Sequence, residues 1–365
     1  MVVGAGPNGL AAAVELARNG RSVVVLEAEE TVGGGTRSAE ITLPGFVHDL
    51  GSAIHPLGYA SPFFRQLPLE EHGLEWVHPP APLAHPFDDG TAAVLERSVE
   101  RTAAALGPDA QAYERLMKGV AEDADRLASY FVGSPRPIRH PVALAASALR
   151  AARSTRGLTE SAFEGEPARG LFAGNGAHSF LPLEKSPSAL FGLVLGTLGH
   201  AFGWPFPKGG SQRIADALTS YLLTLGGEVY TGVRVGSVKE VPRTRAVLLD
   251  VTPRQLFGIA GEHFTERYRR ALQNYRYGPG VFKVDFALDG PIPWKAQGCL
   301  LAGTIHLGST LEEIAAGEAA VWRGEHPERP FILLAQQSLF DRTRAPRAST
   351  PPGHIAMSPT ARPLT

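Results

Sequence analysis

Apolar residues fall in short blocks at the start of the chain, each with its own spacing. Val2 and Val3 end a first apolar run, 10–19 is an alanine- and leucine-rich stretch with helical spacing, and 22–26 is a second apolar run. Gly20 stops the helical stretch, because glycine enters the left-handed conformation that ends helices without a steric cost. A strand buried on both faces reads as an uninterrupted apolar run, so the three blocks predict a β-α-β unit of a parallel sheet. The first strand is short, as though residues preceded Met1.

The texture changes from 58 to 201. A hairpin is predicted around Asp88, Asp89 and Gly90. Helices are predicted over 98–107 and 109–131, with Leu116, Val120, Ala124 and Leu127 on one face, and a further helix over 140–154. The stretch 186–207 carries no Asp, Glu, Lys or Arg and is nearly long enough to span a bilayer. Its glycines, histidine and terminal prolines favour a buried helix over a membrane-surface or substrate-tunnel segment, and either over a true span. Sheet character returns later. A helix over 212–225 is stopped by Gly226 and Gly227, strands follow at 228–238 and 245–253, and two more are expected at 280–288 and 330–337. Residues 346–365 are dense in Pro, Ser, Thr and Ala without periodicity, a composition that predicts disorder.

The chain has 365 residues, enough for two domains with a core. Lys plus Arg number 35 and Asp plus Glu 36, which leaves no basic footprint for nucleic acid. The single cysteine, Cys299, excludes a disulfide framework and a redox CxxC pair. No secretory signal is visible, since the glycine motif begins at the first residues.

That motif is Gly4-Ala5-Gly6-Pro7-Asn8-Gly9. In a dinucleotide fingerprint Gly4 permits the tight turn, Gly6 lets the backbone approach a pyrophosphate, and Gly9 permits close helix–strand packing, while the helix N-terminus offers N–H donors to the phosphates. The alternative is a glycine-rich turn beside a solvated acid. Glu27, followed by Ala28, ends the second strand at the distance where an acid accepts hydrogen bonds from an adenosine ribose. A 2′-phosphate would be repelled there, so NADP is disfavoured. A second glycine cluster, "TVGGGTRS" at 31–38, brings Gly33, Gly34, Thr36 and Arg37 close behind the acid. Such a cluster is no part of an NAD half-site.

With "LPGFVHDLGSAIHP" after it, this stretch resembles the phytoene desaturase-like branch of the FAD-dependent amine oxidase and carotenoid desaturase superfamily. Within that branch it is similar to bacterial relatives of the pyridine nucleotide-disulfide oxidoreductase domain-containing protein 2 group. "GHAFGWPFPKGGSQRIADALTSYLLTLGGEVYTGVRV", "DVTPRQL", "YGPGVFKVDFALDGPIPW" and "AGTIHLGSTLEEIA" continue the match. The resemblance implies an α/β fold: a two-dinucleotide-binding (Rossmann-like) FAD domain with an α+β substrate domain. The FAD domain is expected from 1–57 and 203–255, the substrate or cap domain from 58–202 and 256–345. It implies that Val235 pairs its backbone with the adenine and that Gly209 and Gly210 turn close to the cofactor. Many superfamily members place an arginine directly after the glycine pair; here Gly35 stands there and Arg37 comes later.

The implied activity is transfer of hydride from a hydrophobic small-molecule substrate to flavin N5, with amine oxidase-like oxidation as the nearest variant. The expected location is the cytoplasm, with peripheral membrane contact at most. Hydride transfer from an apolar C–H needs positioning more than a strong acid or base, so no catalytic residue is assigned and no metal is expected. His55, His178, His200 and His306 are candidate polar groups near a flavin, though each is more often structural. Asp49 reads as solvated or capping rather than catalytic. Lys283 and Asp285 read as the polar face of a half-buried strand, and Trp204 and Trp294 as pocket lining or core. Superfamily members end with a further glycine-rich segment over the pyrophosphate and flavin. The resemblance stops near Ala345, and "MSPTARPLT" back-translates in a shifted frame to "VPNGSTAD". The expectation is a frame-shifted, truncated C-terminus and weak FAD binding, with a flavin-poor, non-catalytic remnant as the competing reading.

Overall fold

The computed structural model describes residues 1–133 and 148–346, together with the backbone of 354–359. In chain order the strands are β1 (Val2–Val3), β2 (Val24–Leu26), β3 (Ser38–Ala39), β4 (His48–Asp49), β5 (Trp76–Val77), β6 (Ala81–Pro86) and β7 (Ala92–Leu95). They continue with β8 (Phe206–Pro207), β9 (Glu228–Tyr230), β10 (Leu248–Leu249), β11 (Val284–Ala287), β12 (Ala302–Leu307), β13 (Ile332–Ala335) and β14 (His354–Pro359).

The first sheet has the order β10-β1-β2-β9 and every pairing in it is parallel. It is the predicted β-α-β unit with two later strands added. The helix Pro7–Arg18 starts one turn earlier than its apolar spacing indicates, because Pro7 suits the first helical turn, where an N–H has no partner to lose. Leu10, Ala13, Val14 and Ala17 give it one buried stripe, which packs with Ile214, Leu218 and Leu222 of the helix Gln212–Thr224. The strand expected over 228–238 ends at Tyr230. Gly232, at φ +69°, turns the chain so that Val233 N–H donates to the Glu27 carbonyl (2.8 Å).

The second sheet runs β11-β14-β13-β12-β6-β7; β6 and β12 pair in parallel and its other pairs are antiparallel. Helices Glu166–Ala177 and Ala189–Ala201 pack beside it, joining Leu171, Phe172 and Leu193 to Leu83 and Leu95 in one core. The second of these is the charge-free stretch, a buried helix as expected. Among the described residues no helix is long and apolar enough to cross a membrane. The helix predicted over 109–131 breaks into Ala110–Glu122 and Ala124–Phe131. Of the helix predicted over 140–154, residues 140–147 lie outside the described residues and 148–151 are helical.

One expectation is corrected outright. The composition of 346–365 predicts disorder, yet His354–Pro359 forms β14, between β11 and β13. Composition weighs side chains, whereas here the backbone N–H and C=O groups of two flanking strands supply the pairing. The rest of 347–365 lies outside the described residues.

Candidate cofactor and substrate site

The glycine motif turns at the C-terminal end of β1. Gly4 holds φ +102°, and a Cβ on it would stand 2.5 Å from the Asp250 carbonyl oxygen. A Cβ on Gly9 would stand 2.1 Å from the Gly4 carbonyl oxygen, so the helix Pro7–Arg18 reaches the strand only through a glycine. Asn8 is exposed at the helix start, and Gly6 and Pro7 are half-buried. Glu27 is buried at the end of β2: Ala5 N–H donates to its Oε2 (2.7 Å) and Glu29 N–H to its Oε1 (3.0 Å). A carboxylate has about four acceptor sites, so two amides leave acceptor capacity for ribose hydroxyls. Ala28 follows, half-buried.

The second glycine cluster lies against the first. Gly33 (φ +120°) donates its N–H to the Ala5 carbonyl (2.8 Å), and a Cβ on Gly34 would come within 3.2 Å of Gly6 Cα. Thr36 closes this turn through its hydroxyl, which donates to the Gly33 carbonyl (2.8 Å). Arg37 donates from Nε to the Gly34 carbonyl (3.2 Å), and its Nη1 lies 3.7 Å from Glu29 Oε2. Gly209 and Gly210 precede the helix Gln212–Thr224, and a Cβ on Gly210 would meet Ser38 Oγ at 2.6 Å. Gln212 binds the Val32 carbonyl (3.1 Å), so this turn is fastened to the second cluster. Val235 is buried in the loop after β9, two residues beyond the Val233 bond to Glu27. The structure thus brings both glycine clusters, Glu27, Thr36 and Arg37 to the carboxyl ends of the parallel strands. The close backbone approaches and the residual acceptors of Glu27 fit a dinucleotide.

Sequence reasoning missed Asp250. Its Oδ2 accepts the Gly9 N–H (2.7 Å) and would stand 3.3 Å from a Cβ on Gly6. A carboxylate therefore already caps the helix end that offers donors to phosphate. The available signal was its place at the end of a predicted strand, which does not say what the side chain meets.

A cavity of about 430 Å3 opens beside the second cluster. Its wall on the first-sheet side is the loop 51–58, which sits directly on that cluster: Ser52 N–H donates to the Gly35 carbonyl (2.9 Å). The opposite wall is formed by His178, Leu195, Trp204, Thr304 and β13. The lining holds no Asp, Glu, Lys or Arg. His55 and His178, both on the wall, are lowered to about 4 chiefly by burial and are neutral at pH 7. Leu57 also borders a second cavity of about 340 Å3 with an almost wholly apolar wall.

The other candidates separate. His200 takes part in a buried contact with Tyr113 Oη (2.9 Å) and the Glu96 carbonyl (2.9 Å), away from the cavity. Trp294 donates to Gln336 Oε1 (3.1 Å) and packs in a separate core. Lys283 pairs with Asp285, whose carboxylate also lies 3.4 Å from His48 Nδ1. Asp49 is not solvated. It is fully buried, accepts from Ser211 N–H (2.7 Å) and Ser38 Oγ (2.7 Å), and pairs with Arg344 Nη1 (3.0 Å). Among the described residues no cluster of three or more His, Cys, Asp or Glu side chains is placed to hold a metal.

The fold class is therefore mixed α/β, with a parallel sheet and a Rossmann-like dinucleotide-binding domain. Residues 2–67 match the NAD(P)-binding Rossmann-like domain family. The chain is 25% identical to pyridine nucleotide-disulfide oxidoreductase domain-containing protein 2 of Rattus norvegicus, over 95% of this chain and 71% of that protein. It is 31% identical to one subunit of the limonene dehydrogenase of Castellaniella defragrans, over 28% of this chain and 18% of that protein. Among solved structures, an oxidoreductase from Methanosarcina mazei shares the fold with a TM-score of 0.64 and 16% identity, over 99% of this chain and 78% of that one. A putrescine oxidase does so with a TM-score of 0.59 and 19% identity, over 99% and 74%.

Proposed function

We propose that the protein is an FAD-dependent oxidoreductase that removes hydride from a hydrophobic, uncharged small molecule. The observation that carries this reading is the cavity seated on the second glycine cluster, with no charged side chain in its lining. Gly4, Gly6, Pro7, Asn8, Gly9, Glu27, Ala28, Gly33, Gly34, Thr36, Arg37 and Val235 would hold the cofactor. The two-part division goes with it: 1–57 and 203–255 bind FAD, and 58–202 with 256–345 bind substrate. Bound there, FAD would supply a two-electron acceptor. The chain's own residues orient the substrate, exclude water by their apolar side chains, and present neutral imidazoles. Such a wall suits a phytoene desaturase-like or terpene dehydrogenase-like substrate, and the relatedness to a limonene dehydrogenase supports that class.

Amine oxidation is the second reading, favoured by the fold shared with putrescine oxidase. A cationic amine needs a carboxylate or an aromatic cage to replace its water. Trp204 is the one aromatic ring in the lining other than histidine, and no carboxylate is there. The test is anaerobic bleaching of the FAD-loaded chain by limonene and, separately, by putrescine. Bleaching by limonene alone is expected. Bleaching by putrescine alone would overturn the uncharged-substrate reading.

A further inference from the structure

Three imidazoles that cofactor binding does not use lie at the cavity, one half-buried in its wall and two buried behind it. His178 caps the helix Glu166–Ala177 and stands in the cavity wall; His306 on β12 and His85 on β6 lie behind it, both fully buried. The Nε2 atoms of His178 and His306 are 3.0 Å apart. His85 Nε2 lies 2.6 Å from the Ser309 carbonyl oxygen. The two remaining inner nitrogens, His306 Nδ1 and His85 Nδ1, are buried without a partner. Both converge on Gly174, where a Cβ would lie 2.8 Å from the first and 3.2 Å from the second. A buried polar atom without a hydrogen bond is costly, and a core with no other task avoids that cost by using apolar side chains.

The Ser309 carbonyl fixes the protonated nitrogen of His85. A carbonyl only accepts, so His85 carries its proton on Nε2 and, as a neutral ring, leaves Nδ1 bare. His306 Nδ1 makes no hydrogen bond to it. In the 3.0 Å contact one of the two Nε2 atoms carries the proton, and a proton on His178 Nε2 leaves His306 Nε2 to accept it. The nitrogen then left bare on His178 is Nδ1, which forms no hydrogen bond among the described residues.

From this geometry we propose that His178 Nδ1 accepts the proton lost by the substrate, with His306 as the residue that positions it. This rests on the oxidoreductase reading above. Two C–H bonds on adjacent carbons break. One hydrogen leaves with both bonding electrons to oxidised FAD, which is reduced by two electrons. The other leaves as a proton to His178 Nδ1, and the electron pair it leaves behind becomes the second bond of a C=C. His178 then bears one positive charge and donates from Nε2 to His306. The titratable groups facing His178 are His306 and His85 behind it and His55 on the cavity wall, with no carboxylate lining the cavity. Burial lowers His178 to about 4, so it is free to accept at pH 7 and does not retain the proton.

The test uses the full chain loaded with FAD and limonene as the probe. His178→Gln is expected to slow anaerobic flavin bleaching at pH 7 by about 100-fold or more, the usual scale for a lost general base. In His178→Ala, added imidazole is expected to restore part of that rate, which a merely structural role would not allow. His306→Leu is expected to slow bleaching and to lower the pH at which His178 titrates. A His178→Gln rate within about twofold of the parent overturns the proposal. If limonene does not bleach the parent, the hydrocarbon reading fails, and the 15N histidine spectrum of the cofactor-free chain decides the assignment. A proton on Nε2 of His178 with Nδ1 bare supports it; a proton on Nδ1 overturns it.

Discussion

Glu27 and Asp250 stand at opposite sides of the same turn and pull cofactor affinity in opposite directions. Glu27 keeps acceptor capacity for a ribose after taking two backbone amides, so Glu27→Ala is expected to weaken FAD binding by about 1–3 kcal/mol. Calorimetric titration of parent and variant checks this, and equal dissociation constants would remove Glu27 from the site. Asp250 holds the Gly9 amide with a full negative charge where a pyrophosphate would approach. Asp250→Asn retains an acceptor for that amide and removes the charge. It is expected to tighten FAD by about 0.5–1 kcal/mol at low salt, with the gain fading as salt is added. Weaker binding in the variant at every salt concentration would show that the charge is needed to shape the loop. Glu27 was legible in the sequence because its distance from the glycines follows from one β-α-β unit. The Asp250 contact was not, because it joins residues 9 and 250 through strand order alone.

At the scale of elements, a buried ion pair ties the last 3-10 turn to the first part of the chain. Arg344, on Arg342–Arg344, bonds Asp49 on β4, Asp341, and the carbonyl of Pro207 on β8 (3.2 Å). Asp341 in turn accepts from Gly209 N–H (2.7 Å), so one cluster fixes the turn before the helix Gln212–Thr224. Removing one partner of a buried pair strands the other charge. Arg344→Leu is therefore expected to cost about 3–5 kcal/mol, read as a lower urea midpoint with an unchanged slope. A loss under about 1 kcal/mol would mean that water reaches Asp49. Helices with one clean apolar stripe, such as Pro7–Arg18, were legible because the signal is local. β14 and the Asp49–Arg344 pair were not, because each exists only through a partner distant in sequence.

For the whole molecule, the histidines in the core and the cavity wall make acid the weak direction. His55, His85, His178 and His200 each titrate at about 4 in the fold, against 6.5 when exposed, with burial the main cause. Between these values the unfolded chain binds more protons than the folded one, so stability rises with pH across the window and is lost as pH falls from 6.5 toward 4. Each histidine is expected to contribute a loss of roughly 2 kcal/mol between pH 7 and pH 5. Urea unfolding at both pH values measures it, and coincident midpoints would show that the imidazoles are hydrated in the fold.

The strand order of the first sheet also dictates a timetable. β1 precedes both of its partners in the chain and ends up in the sheet's interior, between β2 and β10. Its pairing with β2 needs only the first β-α-β unit, but its other edge stays bare until Leu248 has been made. The intervening chain, including the helices and hairpin of the second sheet, emerges while that edge is open. Contacts so remote in sequence close slowly, since loop entropy must be overcome before any pairing is gained. A nascent chain of this protein therefore carries an exposed apolar strand edge from the synthesis of Leu26 to that of Leu248, the interval in which it is most open to chaperone capture or to association with its own copies.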